Sequence, residues 1–302
     1  MKEIKEIIEQ ITAMQKAAKQ RASQDMPKIL SSSVKPTKID TLPFWPDATR
    51  GVPNGVLRSA LFGAIKKGAR RYMERERISA IEGIEIHYTG QRLDQGDLDV
   101  WETVLHVTRL QEIGEQCRFT AYSMLKLLGK TDTGKNRETL NKKLLRLKAN
   151  GIEVKQGNFS YTGSLIEEVY KDDETHEYIV VLNPKLLRLF SSDQFTQIDW
   201  KVRSSLNGQP LAQWLHGFYA SHAKPFPISV STLYQLCGSE STEKWKFLQT
   251  LKKALNAVTI ASIQNEQQFI YEIRGDIVHI NKTPSEAQKR YLSKKKIKIS
   301  NK

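Results

Sequence analysis

The chain has 302 residues, 39% hydrophobic and 26% charged, with 17 glycines and 10 prolines; this excludes a collagen-like or wholly disordered protein and leaves room for two domains, each with its own core. No stretch approaches the ~18 uninterrupted apolar residues of a membrane helix, the N-terminus is charged where a signal peptide would be apolar, and the two cysteines, Cys117 and Cys237, lack disulfide-scaffold or zinc spacing, so a cytoplasmic protein with buried thiols and no membrane partner is expected. The net charge of +14, at a pI of about 9.6, points to an anionic partner, nucleic acid first.

Along the chain, Ile4, Ile7, Ile11, Met14 and Ala18 are spaced by three and four, the stripe of a short amphipathic helix that is marginal without a partner. Serines 31–33 with Pro27, Pro36, Pro43 and Pro46 read as a linker, and the folded body should start near Leu42. Residues 81–88 read as a strand, 97–108 as a helix, and 121–128 and 134–149 as two helices. The polar connector 129–133 opens with Gly129, a residue suited to the left-handed conformation that ends a helix. Strands follow at 152–155, 161–170 and 178–182, with a turn at 171–174, and helix, turn, helix, hairpin is winged-helix order. The order then recurs: helices at 212–221 and 230–236, a polar turn at 237–241, a long basic helix over 242–258 with Thr242 as its expected N-cap, and two or three strands within 260–280. This repetition predicts an α+β protein with two tandem winged-helix domains. Its divisions are an N-terminal helix and linker over 1–41, a first domain over 42–195, a second over 196–283, and a basic flexible tail over 284–302.

The charge is unevenly placed. Residues 281–302 carry eight Lys or Arg against Glu286 alone, and the stretches 135–148 and 243–253 carry +8 together on a body otherwise net −4. Two compact basic segments are what a duplex binder with two docking elements would show, although a solvated helix face explains either one equally well. At 100° per residue the second basic helix sets Leu248, Leu251, Leu255 and Val258 against Lys246, Gln249, Thr250, Lys253 and Asn256. Lysines suit phosphates, while Gln, Thr and Asn reach base edges. Trp245 falls between the faces and is assigned to the core. In the first basic helix Leu140, Leu144 and Leu147 form the core stripe, with Lys135, Thr139, Lys142 and Arg146 opposite and Lys143 beside them, a set suited mainly to phosphate contact. The candidate DNA-binding residues are therefore Lys135, Thr139, Lys142, Lys143, Arg146, Thr242, Lys246, Gln249, Thr250 and Lys253.

Catalytic patterns find little support. Residues 129–136 match the phosphate loop G-x-x-x-x-G-K-[ST] except that Asn136 replaces the Mg²⁺-binding hydroxyl, and a helical pattern precedes them where a strand is needed. His87, His106, His176, His216, His222 and His279 make no ligand spacing, including the H-x-H of a rolling-circle nickase. Asp172, Asp173 and Glu174 sit in a polar turn and read as solvated, and no G-x-S-x-G is present. No catalytic residue, metal or cofactor is expected.

The run Phe44-Trp45-Pro46-Asp47-Ala48-Thr49-Arg50, then Pro53-Asn54, Arg58-Ser59-Ala60-Leu61-Phe62, Ile86-His87-Tyr88-Thr89-Gly90 and Leu236-Cys237-Gly238-Ser239-Glu240-Ser241 resembles the TrfA family of plasmid replication initiators, from about Pro43 to Ile280. The resemblance implies two winged-helix domains, binding to direct repeats (iterons) at a plasmid origin and melting of adjacent AT-rich DNA, with single-stranded origin DNA a candidate ligand. It also implies recruitment of the host's replicative helicase and initiator, and monomer–dimer exchange that tunes copy number. Family members can carry a Gln-Leu-x-Leu-Phe-like clamp-binding pentapeptide before this run. Here Lys38-Ile39-Asp40-Thr41-Leu42-Pro43-Phe44 has no Gln and contains Pro, which leaves sliding-clamp binding without its anchors. The rival reading is a winged-helix transcriptional repressor that binds an operator without opening it.

Overall fold

The computed structural model describes residues 2–24, 41–66, 68, 70–156, 159–172, 174–175, 177–191 and 194–300. Helix α1 (Lys2–Gln24) is followed, from Thr41 onward, by β1 (Thr49–Pro53), the single turn α2 (Asn54–Leu57), β2 (Phe62–Gly63), β3 (Tyr72–Ile78), β4 (Ile84–Gln91) and β5 (Leu93–Asp94). These lead into α3 (Gln95–Thr108), which starts at a reciprocal cap: Asp97 N donates to Asp94 Oδ1 at 2.9 Å and Asp94 N to Asp97 Oδ2 at 3.0 Å. Almost every α3 residue is buried, and Trp101 stacks on Phe62 at the heart of the first core.

Beyond α3 come β6 (Cys117–Thr120), α4 (Ala121–Leu127), α5 (Gly134–Lys148), β7 (Gly151–Gln156), β8 (Phe159–Gly163), β9 (Glu168–Lys171) and β10 (Glu177–Val181). After a 3₁₀ turn at Pro184–Phe190 and β11 (Phe195–Asp199), the chain forms α6 (Trp200–Ser205), α7 (Pro210–Ala220), β12 (Ile228–Ser229), α8 (Val230–Leu236), α9 (Lys244–Ile263), β13 (Phe269–Arg274), β14 (Ile277–Lys282) and α10 (Glu286–Ser300). Two stretches share one order. In the first, α3, β6, α4, α5 and the hairpin β9–β10 build the sheet β6-β10-β9; in the second, α7, β12, α8, α9 and β13–β14 build β12-β14-β13. In both, the strand ahead of the helix pair lies beside the last strand of the hairpin. Both helix pairs turn on a left-handed glycine, Gly129 at φ +65° and Gly238 at φ +61°.

The buried apolar residues fall into two clusters, one from Ile7 to Trp200 and one from Val202 to Val278. The first contains an addition to the shared order: β7 and β8 leave α5 to join β3 and β4 in the antiparallel sheet β3-β4-β7-β8, with His87 opposite Glu153. Strand β1 pairs antiparallel with β11, Thr49 opposite Asp199, so the start of the body closes on its far end.

Several local expectations are corrected. The strand expected over 161–170 is two strands in different sheets, because Leu165 and Ile166 turn into the core between them and the Leu165 carbonyl accepts from Trp101 Nε1 at 3.0 Å. Residues 260–263 prolong α9, since Ala261 and Ser262 continue its buried face after Val258. The strand expected from 81 begins at Ile84, after a turn at Glu82 and left-handed Gly83. Helix α1 is not free-standing: Ile7, Ile8, Ile11 and Gln15 are buried against β6 and α4, with Met14 exposed, a face rotated from the expected stripe. Ile4 and Ala18 lie outside the described side chains, and most of the linker, residues 25–40, outside the described residues. The expected flexible tail is helical over Glu286–Ser300, started by a capping box in which Gln288 N donates to Ser285 Oγ and Ser285 N to Gln288 Oε1. Gln288 Nε2 ties it to the Ala220 carbonyl at the end of α7, at 2.7 Å.

Candidate nucleic-acid interface

Helix α9 buries Phe247, Leu251, Ala254, Leu255 and Val258 and exposes Lys246, Gln249, Thr250, Lys253 and Asn256. The polar face is the expected one. Phe247, missing from the sequence-derived stripe, is its first core anchor, and Leu248 is only half-buried. Thr250 Oγ1 donates to the Lys246 carbonyl at 2.9 Å, and Lys246 pairs with Glu243 at 2.7 Å. Thr242 is exposed but does not cap the helix: the N-cap is Glu243, which makes no side-chain cap bond. Trp245, assigned to the core from its position at the edge of the stripe, is 56% exposed, with Lys246 Nζ 5.3 Å from its ring centroid. In the first turn of the helix the side chain projects beyond the core edge, which a two-face projection does not capture.

Helix α5 is capped by Thr133, whose Oγ1 accepts from Asn136 N at 3.3 Å, and buries Leu140, Leu144 and Leu147 as expected. Its candidate residues divide. Lys135, Thr139 and Lys142 are exposed, Lys142 pairing with Glu138 at 2.6 Å. Lys143 Nζ instead donates to the Gly96 carbonyl at 2.8 Å, and Arg146 Nη1 pairs with Asp97 Oδ1 at 2.5 Å, with its side chain only 14% exposed. Both are turned onto the start of α3, where Arg70 also pairs with Asp94 and Asp97. Burial and the neighbouring Asp94 charge push Asp97 up to about 6, against the pull of Arg70 and Arg146. Arg70 and Lys143 outweigh burial at Asp94 and hold it below its ordinary range.

A second set of contacts joins this corner to the α8–α9 turn, which the sequence reading did not detect. Arg92, between β4 and β5, pairs with Glu240 at 2.7 Å and donates to the Gly238 carbonyl, and Ala64 N donates to the Cys237 carbonyl at 2.7 Å. A side chain on Gly238 would place Cβ 2.6 Å from Arg92 Nη2. Beside this turn a cleft of about 870 Å³ runs between the polar face of α9 and Ile65–Lys66, with Lys246, Gln249, Thr250 and Lys253 along one wall.

The phosphate-loop candidate follows helix α4 and forms the turn into α5, with Asn136 Nδ2 bonded to the Thr131 carbonyl and Arg137 paired with Asp132; the strand that such a loop needs is replaced by a helix. Asp172 Oδ1 accepts from Glu174 N and Thr175 N, a turn-closing role that lowers its pKa, while Asp173 and His176 lie outside the described residues. Both cysteines are free and buried. Among the described residues no helix is long and apolar enough to cross a membrane.

The sequence profile of the family described as TrfA protein matches residues 4–282. The plasmid replication initiator protein TrfA of Escherichia coli is 29% identical over 212 residues, 67% of this chain and 55% of that protein. RepFIB replication protein A of Salmonella typhi is 25% identical over 176 residues, 55% of this chain and 54% of that protein. The chain thus spans about half the length of the curated relatives it matches. Among solved structures, domains 2 and 3 of RctB are 14% identical with a TM-score of 0.49, covering 76% of this chain and 96% of that one. The Pi initiator protein, solved in complex with iteron DNA, is 14% identical with a TM-score of 0.45, covering 62% and 91%.

Proposed function

The chain belongs to the TrfA family, and from that membership we propose that it is a plasmid replication initiator that binds iteron repeats in duplex DNA, promotes opening of an adjacent AT-rich segment and recruits the host's replicative helicase and initiator. Residues 42–195 and 196–283 are read as two winged-helix domains in tandem, supported by their matching element and sheet orders. The observation that carries the DNA-binding reading is the exposed face of α9, where Lys246, Gln249, Thr250 and Lys253 stand opposite a buried apolar face.

Entering a major groove, this helix would read base edges with Gln249 and Thr250 and hold phosphates with the lysines. Exposed Trp245 would add a contact at its leading end, with Thr242 just ahead of the helix. Lys135, Thr139 and Lys142 on α5 would grip the neighbouring segment, while Lys143 and Arg146 position α5 from behind. Opening is driven by binding and bending across many repeats rather than by nucleotide hydrolysis. Exchange between monomers and dimers and contact with single-stranded origin DNA belong to the same reading.

The test is a double substitution, Lys246→Ala with Gln249→Ala, assayed on a duplex enriched by the protein from a randomised pool and on a scrambled duplex. Discrimination between the two should collapse while weak, salt-sensitive binding to both survives. Equal proportional loss on both, with discrimination intact, would remove α9 from base reading.

A further inference from the structure

We propose that Lys66, in the segment leading from β2 toward β3, belongs to a third DNA-contacting element and grips the phosphodiester strand bordering the groove that α9 enters; the inference rests on the proposed role of α9. The position of Lys66 is fixed by its neighbours. Gly63 pairs with Asp94 beside α3, Ala64 N is bonded to the Cys237 carbonyl at the end of α8, and Ile65 is buried. Lys66 therefore emerges exposed from an anchored backbone, across the 870 Å³ cleft from Lys246 and Lys253.

The charges of this cleft suit a polyanion. Its lining holds three lysines, Lys66, Lys246 and Lys253, and one carboxylate, Glu240, which Arg92 neutralises at 2.7 Å. Lys246 has Glu243 as a partner, whereas Lys66 and Lys253 enter no ion pair among the described residues. Amide and hydroxyl groups of Gln249 and Thr250 occupy the wall between the lysines of α9. A duplex seated on α9 runs one phosphate strand along that wall, and among the described lining residues Lys66 is the cation that meets it from across the cleft.

The experiment measures binding as a function of salt for the full chain and for Lys66→Ala, Lys66→Arg and Lys224→Ala, the last an exposed lysine outside the cleft. The probes are the pool-enriched duplex and its scrambled counterpart. Loss of one phosphate contact should make the log–log salt slope of Lys66→Ala shallower by about 0.9, so that a fourfold rise in salt costs it about three- to fourfold less affinity than it costs the parent. The loss should be equal on both duplexes, restored by Lys66→Arg and absent in Lys224→Ala. An unchanged slope, a loss confined to the enriched duplex, or an equal effect in Lys224→Ala would overturn the assignment. If the pool yields no enriched sequence, base reading by α9 fails separately, and the slope on an arbitrary duplex of the starting pool still decides the role of Lys66.

Discussion

Arg50 lies fully buried beneath the Trp200 ring, 4.5 Å from its centroid, and donates from Nη1 to the carbonyls of Asp47 and Thr49; burial, partly offset by Glu102, lowers its pKa to about 9. Trp45, five residues earlier, donates from Nε1 to His106 Nδ1, and Asp47 pairs with Arg109. The run from Phe44 to Arg50 that carries the family resemblance is thus a clasp held by two buried anchors, Trp45 and Arg50, with Phe44, Pro46 and Ala48 exposed between and before them and Leu42 in the core. Basic residues differ in kind: Arg50, Arg109 and Arg203 serve the interior, so net charge overstates the charge presented at the surface. Buried histidines make a further residue-scale prediction. Burial, reinforced by Arg58, lowers His222 to about 4, and its Nδ1 donates to the Phe218 carbonyl at 2.7 Å. Unfolded histidine titrates near ~6.5, so between about 4 and 6.5 the unfolded chain binds more protons and stability rises with pH, the contribution being complete above that window. Denaturant titrations of His222→Gln, whose amide can replace the donor, should show this pH dependence flattened by about 3 kcal/mol. A parent-like curve would show that His222 ionises freely in the folded protein.

At the scale of elements, α1 offers the clearest test of what belongs to the core. Ile11 is 2% exposed in the cluster with β6 and α4, so Ile11→Ala should lower unfolding stability by about 2–4 kcal/mol; an unchanged denaturation midpoint would mean that α1 is detached in solution. Helices were the most legible elements because their signals are local: the leucines of α5 at 140, 144 and 147 and the left-handed glycines after α4 and α8 state both position and end. Sheet membership was not legible. Nothing local in 152–163 tells β7 and β8 to join β3 and β4, whose partners lie more than sixty residues earlier. The polar face of α9 was readable from periodicity, whereas the inward turn of Lys143 and Arg146 depends on the Gly96 carbonyl and the Asp97 carboxylate at the start of α3, about fifty residues away. The start of α10 could have been found from Ser285-x-x-Gln288, a capping signal obscured by the lysine-rich composition that follows.

For the whole molecule, the two cores are joined by contacts that are polar as well as apolar. Arg203 on α6 reaches Asp99 at 2.8 Å and Glu102 at 2.5 Å on α3, Gln213 on α7 reaches Asp99, Trp214 Nε1 donates to the Ser59 carbonyl, and Arg58 bonds to Ser221. Burial pushes Glu102 up to about 7 even with Arg203 beside it, as expected for a carboxylate held away from water. Arg92, between β4 and β5, fastens the α8–α9 turn to the first core in the same way, through Glu240 and the Gly238 carbonyl. The most direct test of the initiator reading is permanganate reactivity combined with footprinting on a supercoiled plasmid carrying the replicon from which the coding region comes. Protected direct repeats together with newly reactive thymines in a neighbouring AT-rich segment are the predicted result; protection with every thymine still closed would identify a repressor and contradict it.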